Sequence, residues 1–579
     1  MKNRVIYSVI AVCVFCTQSL VAQQQEDEPE LGKTIKVYSE YKPQINDAQR
    51  LLVNPTAYDT VKVPVELKYT FEAAPVDVVS ELRTLRAVSV KGDKLQDLFR
   101  GYAAVGGGNY NSFMADVRFM TERSRQYQNG IEFLHNSSAG KVRFENDEKY
   151  PANYMYNTLS VYTKRFLPTV TLSAGIKPSF NRYLQYGRDV NSPEFPEISY
   201  NKKDIRRTIF SNQSYVGVQS NTANLDYLNY TGNLGHNITV MNPQQIENSI
   251  NLQAEVKQNV GTLRLGAEFA TEWHGVNFVP LDSAAIKKNT TQISLKPYLV
   301  KTVDDITFEV GLLAQQTIDG NSAFKLHPHV RLSANVLKQT VVPYISYSGN
   351  YKQYSMLEML NENPYTKDFV LLQPANTIAD VRVGAQGRMA TVVPFNAYVQ
   401  YKAFNNEHFW VNDFSNAGNT FLPLYDNGTM FRVHGEIGVR QPLFAALAQL
   451  SYNRYSLNTL EHAWHKPAVE AQIDLKYNIQ NPLTAQNKLV ITTQFFAYGS
   501  QYALAEKFSE GIAEPRYEAV RMSAIVDFNI HLDYYYNTAL VIFCRVNNIT
   551  ATRYQRFYLY PSQRTNFLAG LSYSFGNKK

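Results

Sequence analysis

Residues 567–575, close to the carboxyl end of the chain, read FLAGLSYSF. Successive side chains of an extended strand point to opposite faces, so every second residue from Phe567 to Phe575 shares one face, and all of these are apolar or aromatic. A last strand with an apolar outer face and a terminal aromatic residue is typical of bacterial outer-membrane barrels, because that face contacts lipid and aromatic rings favour the membrane interface. An edge strand of a soluble β-sandwich would show the same alternation.

The alternation recurs from about residue 99 to the end of the chain. Val469, Ile473 and Tyr477, for example, alternate with charged residues that include Glu470 and Asp474. Charges in the middle of one strand face suit a wide barrel lumen better than a packed sandwich core. About 22 such segments follow one another. The sequence therefore predicts an all-β protein, with a transmembrane antiparallel β-barrel of about 22 strands over residues 99–579.

The connections between these segments alternate between short and long. Short links occur at residues 304–305 and 443–444, among others. If both ends of the barrel lie in the periplasm, the short links become periplasmic turns and the long links become extracellular loops, as in outer-membrane barrels. The long links fall at residues 137–152, 182–206, 274–289, 350–375, 404–428, 498–518 and 548–565.

The amino end carries an export signal. Lys2 and Arg4 precede an apolar run too short to span a bilayer, and Ala22 ends a small-residue cleavage site. We expect residues 1–22 to be a signal peptide that is removed. The mature chain then keeps Cys544 as its one cysteine, so no intramolecular disulfide is expected. No later window approaches 18 consecutive apolar residues, so the sequence predicts no transmembrane helix.

Composition and motifs exclude several classes of function. The formal net charge of +7 is small for 579 residues and forms no basic stripe, so no nucleic-acid partner is expected. The chain has no Gly-x-Ser-x-Gly, His-Glu-x-x-His or phosphate-binding loop motif. We therefore expect no enzymatic activity, no catalytic residues, no cofactor and no metal. His327 and His329 share a strand face, but no third ligand lies near them in sequence.

The strand count, the alternation of links and the pattern of residues 546–550, Tyr560-Pro561 and 567–575 resemble the barrel half of a TonB-dependent receptor. Tyrosine-rich strands and the Tyr41-Lys42-Pro43 run are similar to TonB-dependent-receptor-like barrels of the Bacteroidota, with a PorF-like branch associated with type IX secretion. The resemblance implies that residues 23–98 form a short periplasmic segment or partial plug, although plugs of the family are longer. It also implies a TonB-contacting segment at Thr34, Ile35, Lys36 and Val37, for which a first strand of the small N-terminal domain is the alternative.

Two groups of side chains are candidate functional residues. Charges on the predicted inward faces would either line a wall that binds a solute or the N-terminal segment, or pair with each other and only solvate the wall. These lumen candidates are Asp380, Arg382, Arg388, Arg432, Glu436, Arg440, Asp474, Arg521 and Asp527. Phe409 and Trp410 are candidate external contacts in the long loop at 404–428, since aromatic and polar neighbours suit a sugar, peptide or protein. Packing of this loop against its own neighbours is the equal alternative.

Two functions remain open on sequence grounds. The first is uptake of a large polar substrate across the outer membrane, with TonB and a surface lipoprotein as partners. The alternative is a barrel that transports nothing and belongs to an envelope assembly such as type IX secretion, with secretion components as partners. Both place the chain in the outer membrane of a Gram-negative cell, in contact with lipid and inserted by the barrel assembly machinery.

Overall fold

The computed structural model describes residues 99–576, apart from 122–123, 191–201, 204, 223, 242–244, 279–284, 320–321, 338–339, 369, 391, 415–419, 481–487 and 508–515. The expected signal peptide at 1–22, the segment 23–98 and the candidate TonB-contacting residues 34–37 lie outside the described residues.

Twenty-two strands form a single antiparallel sheet, which we call the wall. The wall strands are β1 (Gly101–Gly108), β2 (Phe113–Met120), β3 (Tyr127–Ser138), β6 (Tyr154–Phe166), β7 (Val170–Leu184), β8 (Arg206–Ser220), β9 (Asn229–Met241), β10 (Gln245–Val260), β11 (Leu263–Phe278), β12 (Ile286–Val303), β13 (Ile306–Ile318), β14 (Ser322–Ala334), β15 (Val341–Lys352), β16 (Ala375–Met389), β17 (Val393–Asp413), β18 (Thr420–Arg440), β19 (Phe444–Leu457), β20 (Val469–Gln480), β21 (Lys488–Tyr498), β24 (Ile525–Tyr535), β25 (Leu540–Asn547) and β26 (Asn566–Phe575).

Smaller elements lie in the links between wall strands. One hairpin joins β4 (Lys141–Arg143) to β5 (Lys149–Pro151), and a second joins β22 (Gln501–Lys507) to β23 (Arg516–Met522). Helix α1 (Met356–Glu362) follows β15. Within the described part of the chain, no helix is long and apolar enough to cross a membrane.

The first and last strands close the sheet on itself. β1 pairs with β26 in antiparallel register, with Gly101 opposite Phe575 and Gly108 opposite Leu568. Each wall strand also pairs with the next along the chain, so the sheet has no free edge. The prediction of a closed 22-strand antiparallel barrel is confirmed.

The outward face of the wall is apolar, as the alternation predicted. Phe567, Leu571 and Phe575 on β26 are exposed on the outside, whereas Ser572 between them is only 5% exposed. On β20, Ile473 is 38% exposed on the same outer surface, and the adjacent Asp474 points into the barrel and accepts a hydrogen bond from Gln472. An apolar girdle around a closed sheet is the surface that lipid requires.

Tyrosine and glycine alternate between neighbouring strands on the inner face. Tyr162 lies flat over Gly130, where an added Cβ would stand 2.4 Å from the tyrosine ring. Tyr298 covers Gly266 in the same way, at 2.2 Å. Glycine is needed at these two positions because no larger residue leaves room for the ring. This packing accounts for part of the high tyrosine content of the chain.

The links divide between two rims. The links at the rim that holds Gly101 and Phe575 all span ten residues or fewer, and we assign this rim to the periplasm. The predicted long links lie at the opposite, extracellular rim, where the links 242–244 and 319–321 are also short. The alternation is therefore present but less strict than the sequence suggested.

Two predicted boundaries are wrong. The loop predicted at 404–428 is mostly strand, because β17 and β18 pair as far as Asp413 and Thr420. The long link predicted at 498–518 ends too early, since β23 ends at Met522 in an extracellular hairpin and the wall strand β24 begins at Ile525. Alternation continues across this break, so the pattern alone did not reveal it.

Candidate functional site

Three extracellular links start from widely separated points around the barrel. They follow the fifth, thirteenth and twenty-first wall strands, which are β7, β15 and β25, and span residues 185–205, 353–374 and 548–565. Successive starting points are therefore eight, eight and six strands apart in a ring of 22. Links that start so far apart can contact each other only by reaching over the opening of the barrel.

One tyrosine from each link meets the other two. Tyr365 and Tyr560 stack with ring centroids 3.6 Å apart and planes inclined by 22°. Tyr186 packs at an angle on both, with centroids 4.9 Å from Tyr560 and 6.1 Å from Tyr365. Offset-stacked and tilted arrangements of this kind are the favourable geometries for aromatic rings. The tyrosine triad joins the three links above the lumen, so they cover the extracellular mouth.

A larger apolar core surrounds the triad, and we call the three links together with this core the cap. Phe421 and Trp410 come from the extracellular ends of β18 and β17 and are 0% and 1% exposed. The core also takes side chains from the β4–β5 hairpin, from β7 to β9, from α1 and from the last link. Its buried members include Val142, Phe144, Ala152, Tyr183, Ile209, Met241, Met356, Met359, Leu360 and Phe557.

Polar contacts hold the link 353–374 to distant strands. The Arg207 guanidinium on β8 donates to the carbonyl oxygen of Thr366 and pairs with Asp368. On β10, the Glu247 carboxylate accepts the Met356 amide at 2.7 Å, at the start of α1. The helix begins there because Ser355 and Glu358 form a capping box. The cap is thus fixed by ion pairs and hydrogen bonds as well as by apolar packing.

The Glu362 carboxylate, at the end of α1, connects the cap to the wall. It accepts hydrogen bonds from His408 Nε2 at 2.7 Å, from Trp410 Nε1 at 3.1 Å and from Lys466 Nζ at 2.9 Å. Burial disfavours the ionised form of Glu362, but the hydrogen bond from His408 and the charge of Lys466 outweigh it and hold the pKa of the carboxyl well below its usual range. The carboxylate is therefore ionised at neutral pH.

His465 packs against Phe421 and Phe557 of the cap core, and its hydrogen bonds fix one tautomer. Its Nδ1 donates to the carbonyl oxygen of Trp410 at 2.8 Å, and its Nε2 accepts the amide of Tyr558 at 3.2 Å. The carbonyl oxygen can only accept and the amide N–H can only donate, so Nδ1 carries a proton and Nε2 does not. The imidazole is therefore neutral. Burial lowers the pKa of His465 to about 4, and the bond to Trp410 only partly opposes that shift. Protonation of Nε2 would break the contact with Tyr558.

Phe409 and Trp410, predicted as external contacts, do not face solvent. Phe409 is 0% exposed and packs with Phe404 and Trp464, and Trp410 belongs to the cap core. The open alternative, that this segment packs against its own neighbours, describes their position. The sequence carried one signal of this: five aromatic or imidazole rings between residues 404 and 414 are more apolar surface than an external loop exposes.

A polar cavity of about 410 Å³ lies on the inner wall, lined mostly by residues of β15 to β18. Its floor includes Arg382, Gln400 and Arg432, which stand opposite one another on β16, β17 and β18. Side chains directly opposite on one face of a sheet have Cβ atoms about 5 Å apart. The other lining residues are Ser348, Gly349, Asn350, Thr377, Asp380, Lys402, Phe404, Glu407, Met430, Tyr455 and Lys466.

Most charges in the cavity are paired. Arg382 makes two hydrogen bonds to Asp380, with Nη2 to Oδ2 at 2.8 Å and Nε to Oδ1 at 3.1 Å. Lys402 pairs with Glu407 at 2.7 Å. The cavity therefore confirms neither reading of the lumen charges by itself, because both solvation of the wall and binding of a solute would use such pairs.

The remaining lumen candidates are placed apart from this cavity. Asp527 accepts a hydrogen bond from Tyr554 at 2.7 Å, and Glu436 accepts one from Gln449 at 3.1 Å. Arg388 and Arg440 lie on inner faces near the periplasmic rim, while Asp474 lies on β20.

Arg521 is not in the wall. It belongs to β23 in the extracellular hairpin, where its Nη2 donates to Ser500 Oγ at 2.9 Å. The assignment of Arg521 to the lumen is therefore corrected; it arose because the alternation of side chains continues from β23 into the wall strand β24. Sequence reasoning missed Lys402, Glu407 and Lys466. It placed Glu407 in an external loop that began at residue 404, and it gave Lys402 and Lys466 no role.

Comparison with solved structures identifies the fold. The ferripyoverdine receptor of the outer membrane of Pseudomonas aeruginosa aligns with a TM-score of 0.61 at 10% identity, over 83% of this chain and 72% of that one. The chain has the fold of outer-membrane receptors. The FrpB iron transporter from Neisseria meningitidis gives 0.63 at 10% identity, over 83% and 82%, and the siderophore receptor PirA from Acinetobacter baumannii gives 0.62 at 11%, over 83% and 81%.

The chain shares the fold of these proteins, and its closed 22-strand wall with an apolar outer face has the form of an integral outer-membrane barrel. No protein-family model matches the sequence, and no curated protein is similar to it. Among the described residues, no group of three or more His, Cys, Asp or Glu side chains could hold a metal ion.

Proposed function

We propose that this barrel takes up a polar solute across the outer membrane and that the cap is the gate which the solute must open. The observation that carries the proposal is the polar cavity on the inner wall of β15 to β18, which Lys466 joins to Glu362 of the cap. A solute that entered past the cap would meet hydrogen-bonding groups on the inner wall at once. Small ligands are bound by concave sites with a few convergent polar groups, and the cavity has this form.

The contacts of the cap suit repeated opening. They join the links to each other and to side chains at the extracellular ends of the wall strands, so they can separate without breaking the hydrogen bonds between wall strands. Lys466 both lines the cavity and donates to Glu362 at the end of α1. A change at the cavity can therefore alter a contact that holds the cap.

We further propose that opening depends on TonB, because the sequence resembles TonB-dependent receptors, and that Thr34, Ile35, Lys36 and Val37 contact it. A surface lipoprotein partner and the Bacteroidota type of barrel are parts of the same proposal. The charged residues Asp380, Arg382 and Arg432, which line the cavity, would then lie on the path of the solute.

Uptake can be tested in cells that lack or carry the chain. We expect cells with the barrel to accumulate at least one member of a panel of labelled polar solutes that cells without it do not. Accumulation should stop when a protonophore removes the proton gradient, and in a variant that lacks residues 34–37. Barrel abundance in the outer membrane, measured by immunoblot, is the control for both.

A different result would favour the alternative function. If deletion of the chain changed the accumulation of no solute on the panel, but left secreted surface proteins in the periplasm, the barrel would be part of a secretion assembly such as the type IX system. A pull-down from solubilised outer membrane would then recover secretion components and not TonB.

A further inference from the structure

Among the described residues of the polar cavity, one cation has no carboxylate partner and one hydrogen-bond acceptor has no donor. Arg432 Nε donates to Asn453 Oδ1 at 2.6 Å, yet among the described residues no carboxylate lies within ion-pair distance of its guanidinium. Its two outer nitrogens remain available. The other three cations of the cavity, Arg382, Lys402 and Lys466, each have a carboxylate partner.

The unpaired acceptor belongs to Gln400, the neighbour of Arg432 on the floor. Gln400 is 4% exposed, and its Nε2 donates to Asp380 Oδ1 at 2.8 Å. A carboxylate accepts only from a donor, so this contact fixes which end of the amide is nitrogen. Within the part of the chain that the structure describes, the Oε1 atom is then buried with no donor in contact. A buried acceptor without a donor is unfavourable, and a ligand hydroxyl would satisfy it.

We propose that the cavity binds a hydroxylated carboxylate about the size of a single sugar acid. The carboxylate would take the planar fork of Arg432 in two parallel hydrogen bonds, since guanidinium and carboxylate match in geometry. A hydroxyl on a neighbouring ring carbon would donate to Gln400 Oε1, because the two side chains stand on directly opposed residues of β17 and β18. A volume of about 410 Å³ lies near the small end of ligand sites, which suits one ring and excludes a folded polymer.

This inference deepens the proposed uptake function, because it names the class of solute. It predicts that both the carboxylate and the hydroxyl of the ligand contribute to its affinity. A neutral sugar would leave Arg432 without an anion, and a carboxylate without hydroxyls would leave Gln400 Oε1 unsatisfied. Specificity of this kind arises because the groups of the site are buried and already oriented.

Calorimetry on the purified full chain in detergent can test it with three probes of similar size: galacturonate, galactose and cyclohexanecarboxylate. We expect galacturonate to bind at least tenfold more tightly than either of the others. Arg432→Gln should weaken the binding of galacturonate at least tenfold. Gln400→Met should lower the affinity for galacturonate to that for cyclohexanecarboxylate and leave the latter unchanged.

Arg440→Gln is the matched control, because Arg440 lies on the same strand and face as Arg432 but outside the cavity. It should bind galacturonate as the unaltered chain does, and heat-modifiable migration on gels shows that each variant is folded. Equal affinity for galacturonate and galactose, no binding of galacturonate, or an equal loss in Arg440→Gln would overturn the inference. Binding without uptake by cells would overturn the proposed function alone, and uptake of another solute without this binding would overturn the inference alone.

Discussion

The wall and the cap are built by different rules. Each residue of the wall is placed by its two neighbouring strands, and the period of two along the chain decides whether it faces lipid or lumen. The cap is placed by contacts between residues such as Tyr186 and Tyr560, which are 374 positions apart in the chain. The difference teaches that periodicity encodes the barrel, while the closure of its mouth depends on long-range packing with no period.

The largest expected effect separates the two faces of one wall strand. Ile473→Arg puts a charge on the lipid face near the middle of β20 and should cost about 2–4 kcal/mol if that position is at the bilayer midplane. Asp474→Asn changes the adjacent, inward residue and should assemble normally. The amount of heat-modifiable barrel in the outer membrane measures the assembly of both variants. Equal assembly of the two variants would mean that the facing of β20 is wrong.

The next effect concerns the cap alone. Tyr365→Ala removes the ring shared by several aromatic contacts and should destabilise the closed cap by about 3 kcal/mol, because large-to-small changes leave a cavity in packed cores. Amide hydrogen exchange should increase in α1 and in residues 548–565 while the wall stays protected. Tyr227→Ala, in an exposed periplasmic link, is the control. Faster exchange in the wall strands would show that wall and cap are not independent.

A smaller effect is expected from the polar contacts of the cap. Glu362→Gln keeps the shape of the side chain but removes the negative charge of the carboxylate to which His408 and Lys466 donate. It should lower the stability of the closed cap by about 1–2 kcal/mol. Limited proteolysis within residues 353–374 should become faster. Glu461→Gln, on an exposed residue of a neighbouring link, should leave the rate unchanged. The role of Glu362 would be rejected if both variants were cut at the rate of the unaltered chain.

The last effect is a dependence on pH. His465 has a pKa of about 4 in the closed cap and an ordinary value of about 6.5 when the cap is open, so the open form binds a proton that the closed form does not. Cap stability should be full above pH 6.5 and decrease as the pH falls toward 4. The depressed pKa of Glu362 affects stability only below its ordinary range near 4.5, so the window from pH 6.5 to 5 reports His465.

Hydrogen exchange of cap amides between pH 7.5 and 5, corrected for the intrinsic rate, measures this dependence. His465→Gln should remove it, since an amide can donate to Trp410 and accept from Tyr558 without titrating. His462→Gln, on a partly exposed neighbour, should retain it. A dependence on pH that persisted in His465→Gln would assign the effect to another group.

The fold could be predicted from the sequence to a large extent, because lipid imposes one rule on every wall strand. The number of strands, the closure and the inward position of Asp380, Arg382 and Arg432 all follow from alternation. The cap could not be predicted, since no local pattern states that Tyr365 will stack on Tyr560. Arg521 was assigned to the lumen wrongly because the alternation of side chains continues where the chain leaves the wall.

The candidate site shows the same limit. Arg382 and Arg432 were recognised as lumen charges, but Gln400 was not, because a neutral amide is ordinary on an inner face. Only the register between strands shows that Gln400 lies between the two arginines. Only the side-chain contacts show that its oxygen has no donor among the described residues.

Cysteine labelling on whole cells tests most directly whether the cap closes the mouth. Ser348→Cys, which lines the cavity, is placed in a Cys544→Ser background and treated with a bulky maleimide that does not cross membranes. We predict slow labelling of Ser348→Cys and labelling at least tenfold faster when Tyr365→Ala is added, while Glu461→Cys on the exposed rim reacts rapidly in both. Labelling of Ser348→Cys as fast as Glu461→Cys beneath an unaltered cap would contradict the closed mouth.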